Sequence, residues 1–286
     1  MDPPEKQQKA FTPFFFRQQY HRAGTDPLKL ATARLAIIGF FFACRSCEYS
    51  VATSSRKTKT LEIEDIRFST NEAGEIPFES EETWNAPYVT YTFKDQKNGE
   101  KYEQVTQQAT NDPVMCPVRM SAAIVTNILN IKGASTKSKI CSYQTSEGKL
   151  REITQTMLLK EYRNTADAIG EDRLGFTSQE IGTHSVRSSA AMSMFLANTP
   201  IFVIMMVGRW SSDAFLKYIR RQVLQSVRGV STKMISNDLF WSLPDPQATI
   251  EDPRTRNKDS FASNLSSRAL TSTKLRAMRP AFSLHN

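Results

Sequence analysis

The sequence predicts an α+β fold, mainly helical, with a small three-stranded antiparallel sheet in its first half. Three observations lead there. Between residues 60 and 108, three stretches alternate apolar and polar residues, as half-buried strands do. From Pro113 onward, apolar residues recur at three- and four-residue steps, the period of a helix face. Finally, 286 residues with 40% hydrophobic content suffice for one large or two modest cored domains.

Residues 1–25 are polar apart from the aromatic cluster Phe14 to Phe16. Asp26-Pro27 then reads as a helix start, with Asp as N-cap and Pro in the first turn. That helix is expected to run to about Ser54. TLEIEDIRF, residues 60–68, is the first strand. YVTYTFK (88–94) and EKYEQVTQQ (100–108) are the second and third. They are joined through Asp95 to Gly99, where Asn98-Gly99 favours a tight hairpin turn. Val118, Ala122, Val125 and Leu129 mark one helix, and Met157, Leu158, Tyr162 and Ile169 another. A third spans His184 to Leu196. Thr199-Pro200 caps a short apolar helix through about Val207, and Ser212 opens one carrying Phe215, Leu216, Tyr218 and Ile219. Past Trp241 the composition turns to Ser, Pro, Arg and Asn, with little to bury. The expected division is an N-terminal remnant or linker (1–27), a main domain (28–243) and a basic disordered tail (244–286).

Charge is unevenly spread. The formal total is +8, but residues 254–286 hold seven Lys/Arg and one Asp, so the body is nearly neutral. Within the body, residues 204–236 carry six basic residues against Asp213 alone, whereas residues 69–93 hold five Glu and no Lys or Arg. One local basic surface facing an anionic partner such as nucleic acid is the preferred interpretation. Cys44 and Cys47 form a single CxxC, and Cys116 and Cys141 stand apart. His21, His184 and His285 are scattered, so a structural zinc site is not expected. The longest apolar run, Leu35 to Cys44, is too short for a bilayer and reads as a buried helix. No basic-then-apolar leader opens the chain, and no secretory signal is expected.

Four side chains stand out chemically. THSVR places His184 and Arg187 three apart, GRWSSDAFLKYIR carries Tyr218, and ACRSCEY offers Arg45. A phosphodiester is an anion whose transition state gathers charge on the non-bridging oxygens. Two guanidiniums can clamp those oxygens with paired hydrogen bonds and stay charged throughout. A tyrosine phenol is a weak nucleophile, with a pKa near 10; it needs in-line placement and a proton acceptor. His184 can be that acceptor, or a phosphate donor when protonated. The leaving 5′-oxygen needs a proton, which a lysine on a hairpin can supply. Taken singly, each residue has a plainer explanation. Arg45 can pair with Glu48 one turn on, His184 and Arg187 can cap and solvate a helix start, and Tyr218 can be half-buried. Their joint order and spacing favour the chemical interpretation.

In that order and spacing the residues resemble the catalytic domain of the tyrosine recombinases, the phage-integrase-like family, over about residues 28–225. Members carry an arginine near the end of an early helix, commonly with Glu three residues later, as Arg45 and Glu48 stand here. A strand similar to TLEIEDIRF follows. Their catalytic lysine lies in a β-hairpin turn, which the resemblance puts at Lys97 in QKNGEK, with Lys94 as competitor. A later Gly-His or Gly-Trp precedes the nucleophile by about nine residues. By spacing that position falls on Arg209 and by residue type on Trp210; Trp210 is preferred, its indole N–H a donor and its ring packing for the tyrosine helix. Locally, GRWSSDAFLKYIR looks most like the Crypton and DIRS transposon recombinases. Relatives also carry an N-terminal helical core-binding domain that completes a clamp on DNA; about 27 residues precede the matching domain here.

The resemblance implies site-specific recombination or integration through a 3′-phosphotyrosyl intermediate on double-stranded DNA, by a homo-oligomer working as a tetramer. Tyr218 is the expected nucleophile, Arg45 and Arg187 the phosphate clamp, Lys97 the general acid, His184 the proton-transfer aid and Trp210 the orienting group. No metal or nucleotide cofactor is needed, because the link itself conserves bond energy. Phosphate contacts are expected from Lys217, Arg220 and Arg221, with Arg209 in the same basic stretch, and from the tail. No membrane association is expected. A type IB topoisomerase and a non-catalytic transposon-derived DNA-binding protein are the alternatives.

Overall fold

Two aromatic-rich segments, Phe11 to Phe16 and Phe40 to Phe42, cannot stay in water, and their burial organises the fold. A computed structural model of the chain describes residues 8–52, 58–71, 74–95, 101–210 and Leu216. Helix α1 (Pro13–Ala23) opens with proline in its first turn. It buries Phe15 and Phe16 completely. Phe11 stacks on Phe15 with centroids 4.0 Å apart and meets Tyr162 edge-on at 5.5 Å. These rings join the main core, so residues 11–23 form an integral part of the described body.

Helix α2 (Pro27–Phe41) starts as expected: the Asp26 carboxylate accepts the Lys29 N–H at 3.0 Å. It is apolar on most sides, burying Leu35, Ala36, Ile37 and Ile38, which makes it the central helix. Helices α1, α3 (Pro117–Leu129) and α6 (Ser185–Leu196) pack around it. It ends at Phe41 rather than near Ser54. Ala43 turns left-handed (φ 45°), Ala43 N–H bonds back to the Phe40 carbonyl, and Cys44 N–H to that of Gly39. That paired closure ends a helix in the manner usually served by glycine. Ser46–Glu48 follow as a single 3₁₀ turn.

The sheet has four strands, not three. They are β1 (Ile66–Ser69), β2 (Glu75–Ile76), β3 (Tyr88–Phe93) and β4 (Glu103–Gln108), all antiparallel in the order β2-β1-β3-β4. The β3–β4 hairpin pairs Tyr88 with Gln108 through Phe93 with Glu103, while Asn98-Gly99 lies outside the described residues. The first strand begins only at Ile66, because Ile63–Asp65 is a 3₁₀ turn in which the Asp65 carboxylate accepts the Glu62 N–H at 2.9 Å. Tyr91 stacks on Phe42 at 4.1 Å and so ties the sheet to the end of α2. A two-stranded ribbon, β5 (Ser142–Gln144) with β6 (Leu150–Glu152), was not foreseen.

The remaining expected helices fall where periodicity put them: α4 (Gln155–Ile169), α6 and α7 (Ile201–Gly208); a short α5 (Glu171–Leu174), which periodicity did not mark, follows α4. All four cysteines are reduced and buried. Among the described residues no helix is long and apolar enough to cross a membrane. The tail 244–286 and all of the Ser212 helix except Leu216 lie outside the described residues.

If α1 is part of the core, Phe15→Ala should destabilise the protein by about 3–5 kcal/mol in urea unfolding. A cost under about 1 kcal/mol, the size of a surface change, would show that residues 11–23 hang loosely on the body.

Candidate functional site

Closing α2 at Phe41 leaves the carbonyls of Phe42 and Ala43 beyond the helical hydrogen-bond ladder, at the negative end of the helix dipole. Two arginines far along the chain take them. Arg209 Nη1 donates to the Phe42 carbonyl at 2.9 Å, and Arg187 Nη1 donates to that of Ala43 at 2.6 Å. Glu48 lies beside them, 1% exposed. Arg209 Nη2 reaches its carboxylate at 2.7 Å, Arg45 Nη1 at 2.9 Å, and the Arg45 backbone N–H at 2.7 Å. Gly39 permits this closeness. A Cβ there would stand 3.0 Å from the Tyr49 ring and 3.1 Å from Val186, so α2, the 46–49 turn and α6 could not approach as they do.

The electrostatics follow from this crowding. Burial alone would push the Glu48 carboxyl up, but Arg209, Arg187 and Arg45 outweigh it and hold the group below the usual carboxylate range. The Cys44 thiol is pushed up to about 12 by burial and by Glu48, with Arg209 and Arg187 opposing; it remains a neutral packing group. One carboxylate thus faces three guanidiniums, which leaves the cluster cationic and suited to an anionic ligand.

Arg187 sits in the first turn of α6 and is 3% exposed. Its Nη2 also donates to the Gly208 carbonyl, and its guanidinium carbon lies 4.5 Å from the centre of the Trp210 ring, within cation–π range. A Cβ on Gly208 would fall inside that ring, so glycine is what lets Trp210 fold back over the end of α7. Trp210 also packs against the small apolar cluster of Ala191 and Ile204, beside Met205 and Leu216. His184 is the N-cap residue of the same helix as Arg187 and is exposed; its backbone N–H donates to Gln8 Oε1 at 2.8 Å.

The structure therefore gathers Arg45, Arg187 and Trp210 around the end of α2, with His184 one turn from Arg187. Arg209 has a different place from the one its basic neighbourhood suggested. Its side chain is 0% exposed and lies 3.5 Å over the Phe93 ring, held inside as the countercharge of Glu48 rather than facing a DNA backbone. Sequence spacing alone missed this role. Glu48 gave a partial signal: an acid between Cys47 and Tyr49, next to a strongly apolar helix, needs a cation, but nothing in the sequence says that Arg209 supplies it beside Arg45.

Lys94 follows β3 and is held by three carboxylates, Glu62 at 3.2 Å, Glu64 at 2.6 Å and Asp65 at 2.9 Å. Burial would lower its ammonium, but hydrogen bonds to Glu64, Asp65 and Glu62 more than reverse that and raise it. A lysine so stabilised in its charged form is a poor proton donor, which disfavours Lys94 as the general acid. Lys97, Tyr218, Lys217, Arg220 and Arg221 lie outside the described residues.

Glu48→Gln keeps the shape but leaves Arg209 buried without its countercharge, so unfolding free energy should fall by about 3–5 kcal/mol. The pH dependence has a definite sign. The folded-state value of Glu48 is depressed, so its contribution is complete above the ordinary carboxyl value of 4.5 and is lost as pH falls through the lower folded value. Wild type should lose stability more steeply than Glu48→Gln below that pH in acid titrations followed by circular dichroism; equal slopes would show that Glu48 is not ion-paired.

Among solved structures, the chain is similar to the XerH site-specific recombinase bound to palindromic difH substrate in a post-cleavage complex, at 15% identity and a TM-score of 0.48, covering 79% of this chain and 54% of that one. It is similar to the Tn1549 transposon integrase in complex with transposon right end DNA, at 11% identity and a TM-score of 0.47, covering 83% and 69%. It is also similar to the XerA recombinase, at 12% identity and a TM-score of 0.46, covering 83% and 67%. The chain thus spans about half the length of the XerH recombinase. No protein-family model matches the chain, and no curated protein does.

Proposed function

We propose that this chain cleaves and rejoins DNA strands by the tyrosine-recombinase reaction, with Tyr218 as nucleophile. The phenol oxygen of Tyr218 attacks the scissile phosphorus in line. A P–O bond to the tyrosine forms as the bond to the 5′-oxygen breaks. The phenol proton passes to His184, and the departing 5′-oxygen takes one from Lys97. Attack of a different 5′-hydroxyl on the phosphotyrosine reverses these transfers and joins the new strand pair. Arg45 and Arg187 donate to the non-bridging oxygens, where charge gathers, and Trp210 keeps the Arg187 guanidinium in place. Such a reaction calls for a tetramer on two duplexes, with Lys217, Arg220 and Arg221 among the phosphate contacts.

The observation that carries this interpretation is the convergence of Arg45 and Arg187, remote in sequence, around one buried carboxylate. A surplus of guanidinium there suits a phosphodiester oxyanion. Two further features support it. Phe93, the last residue of β3, lies under Arg209, four residues before Lys97 in the sequence. Trp210, stacked on Arg187, leads into the segment that carries Tyr218. The second interpretation, a DNA-binding protein without chemistry, draws on the 3% exposure of Arg187: its donors already serve the Ala43 and Gly208 carbonyls.

A nicked suicide DNA duplex and a denaturing gel separate the two. Wild type should trap a covalent protein–DNA adduct, and Tyr218→Phe should bind DNA yet trap none. Arg187→Lys should lower the rate of adduct formation by ~10²–10³, with binding little changed and weakening steeply with salt in both proteins. An adduct that survives Tyr218→Phe would refute the nucleophile assignment, and salt-sensitive binding without any wild-type adduct would favour the non-catalytic protein.

A further inference from the structure

A further cationic side chain, half-buried, stands in the middle of α2, away from the Glu48 cluster. Arg34 lines a cavity of about 320 Å³ between α2, α3 and β5. One wall is apolar, made by Leu30, Ile124, Ile128 and Ile140. The rim is polar and uncharged, with Asn127 and Gln144 among its groups. Arg34 is the sole charged residue of the lining. Its Nε is buried with no hydrogen-bond partner, and no ion pair among the described residues involves it. Burial lowers its pKa, with the Tyr20 hydroxyl opposing. A pocket of this size with an apolar wall and one convergent charge has the character of a small-ligand site.

We propose that this cavity binds a small organic anion, a carboxylate with a short apolar body. The carboxylate would pair with the Arg34 guanidinium, whose planar fork matches it, and the alkyl or aryl part would lie on the isoleucine wall. Acidic groups are absent from the lining, so nothing in it repels an anion. A free inorganic anion would leave that wall uncovered, and a neutral isostere would give the guanidinium no anionic partner. The anion and the apolar body should therefore both be required.

Hexanoate, hexanamide and inorganic phosphate, titrated separately into the full chain by calorimetry, test this. Hexanoate should bind saturably at one site, and hexanamide at least about tenfold more weakly, as loss of a charge-assisted bond implies. Phosphate should be weaker by a similar factor. Arg34→Gln should reduce hexanoate affinity by the same factor or more. Should that variant fail to fold, Ala31→Phe decides, since it fills the cavity from α2 and leaves the guanidinium intact; it should melt near the wild-type temperature and bind no hexanoate. Equal binding of hexanoate and hexanamide, phosphate binding as tight as hexanoate, no binding of any probe, or undiminished hexanoate binding by Ala31→Phe would each overturn the assignment. None of these readouts involves DNA, so the result is independent of the proposed strand-transfer activity.

Discussion

One carboxylate buried at the end of a helix governs the rest of the architecture. Glu48 is 1% exposed, and removing a carboxylate from water is costly unless strong partners surround it. Arg209 is the strongest of those partners, itself without exposure. The pair is braced by further bonds: Arg209 donates to the Phe42 carbonyl, and Arg45 closes the opposite side of Glu48. These bonds join four separate pieces of chain, namely the end of α2, the 46–49 turn, the end of α7 and, through Phe93, the last residue of β3. Position in this fold is thus set by a satisfied ionic network, and apolar packing around Phe42 and Tyr91 shields that network from water.

The network also explains why sequence reasoning succeeded in some places and failed in others. Helices α3 and α4 were legible because a single periodic stripe decides which face is buried, and the β3–β4 hairpin because alternation and a turn pair agree. The end of α2 was not. The apolar run continues through Cys44, and nothing local forbids a longer helix; the carbonyls of Phe42 and Ala43 are claimed by arginines well over a hundred residues away. In the same way TLEIEDIRF alternates like a strand, yet its first part curls because Asp65 caps Glu62 and pairs with Lys94. Strand β2 has two residues and no pattern to detect. Arg45 and Arg187 could be singled out by spacing, and the fold brings both beside Glu48. Arg209 could not be assigned correctly, because a cation in a basic stretch reads as surface unless its buried partner is known.

The three guanidiniums are unequal, and their differences bear on the chemistry proposed. Arg209 is enclosed and spends its donors on protein groups, so it acts as a frame. Arg45 keeps 19% of its side chain exposed and is the arginine through which the cluster meets solvent. Arg187 is as buried as Arg209, at 3% exposure, and is braced by two carbonyls and a tryptophan ring. A single carboxylate cannot neutralise all three, so positive potential persists in a site whose dipoles are already oriented. Stabilising a developing oxyanion requires donors that need not reorganise when charge appears. An arginine held by its own fold meets that requirement better than one swinging freely in water. On this view the enclosed Arg209–Glu48 pair serves the proposed reaction indirectly: it fixes where Arg45 and Arg187 can be, and it leaves their charge in excess.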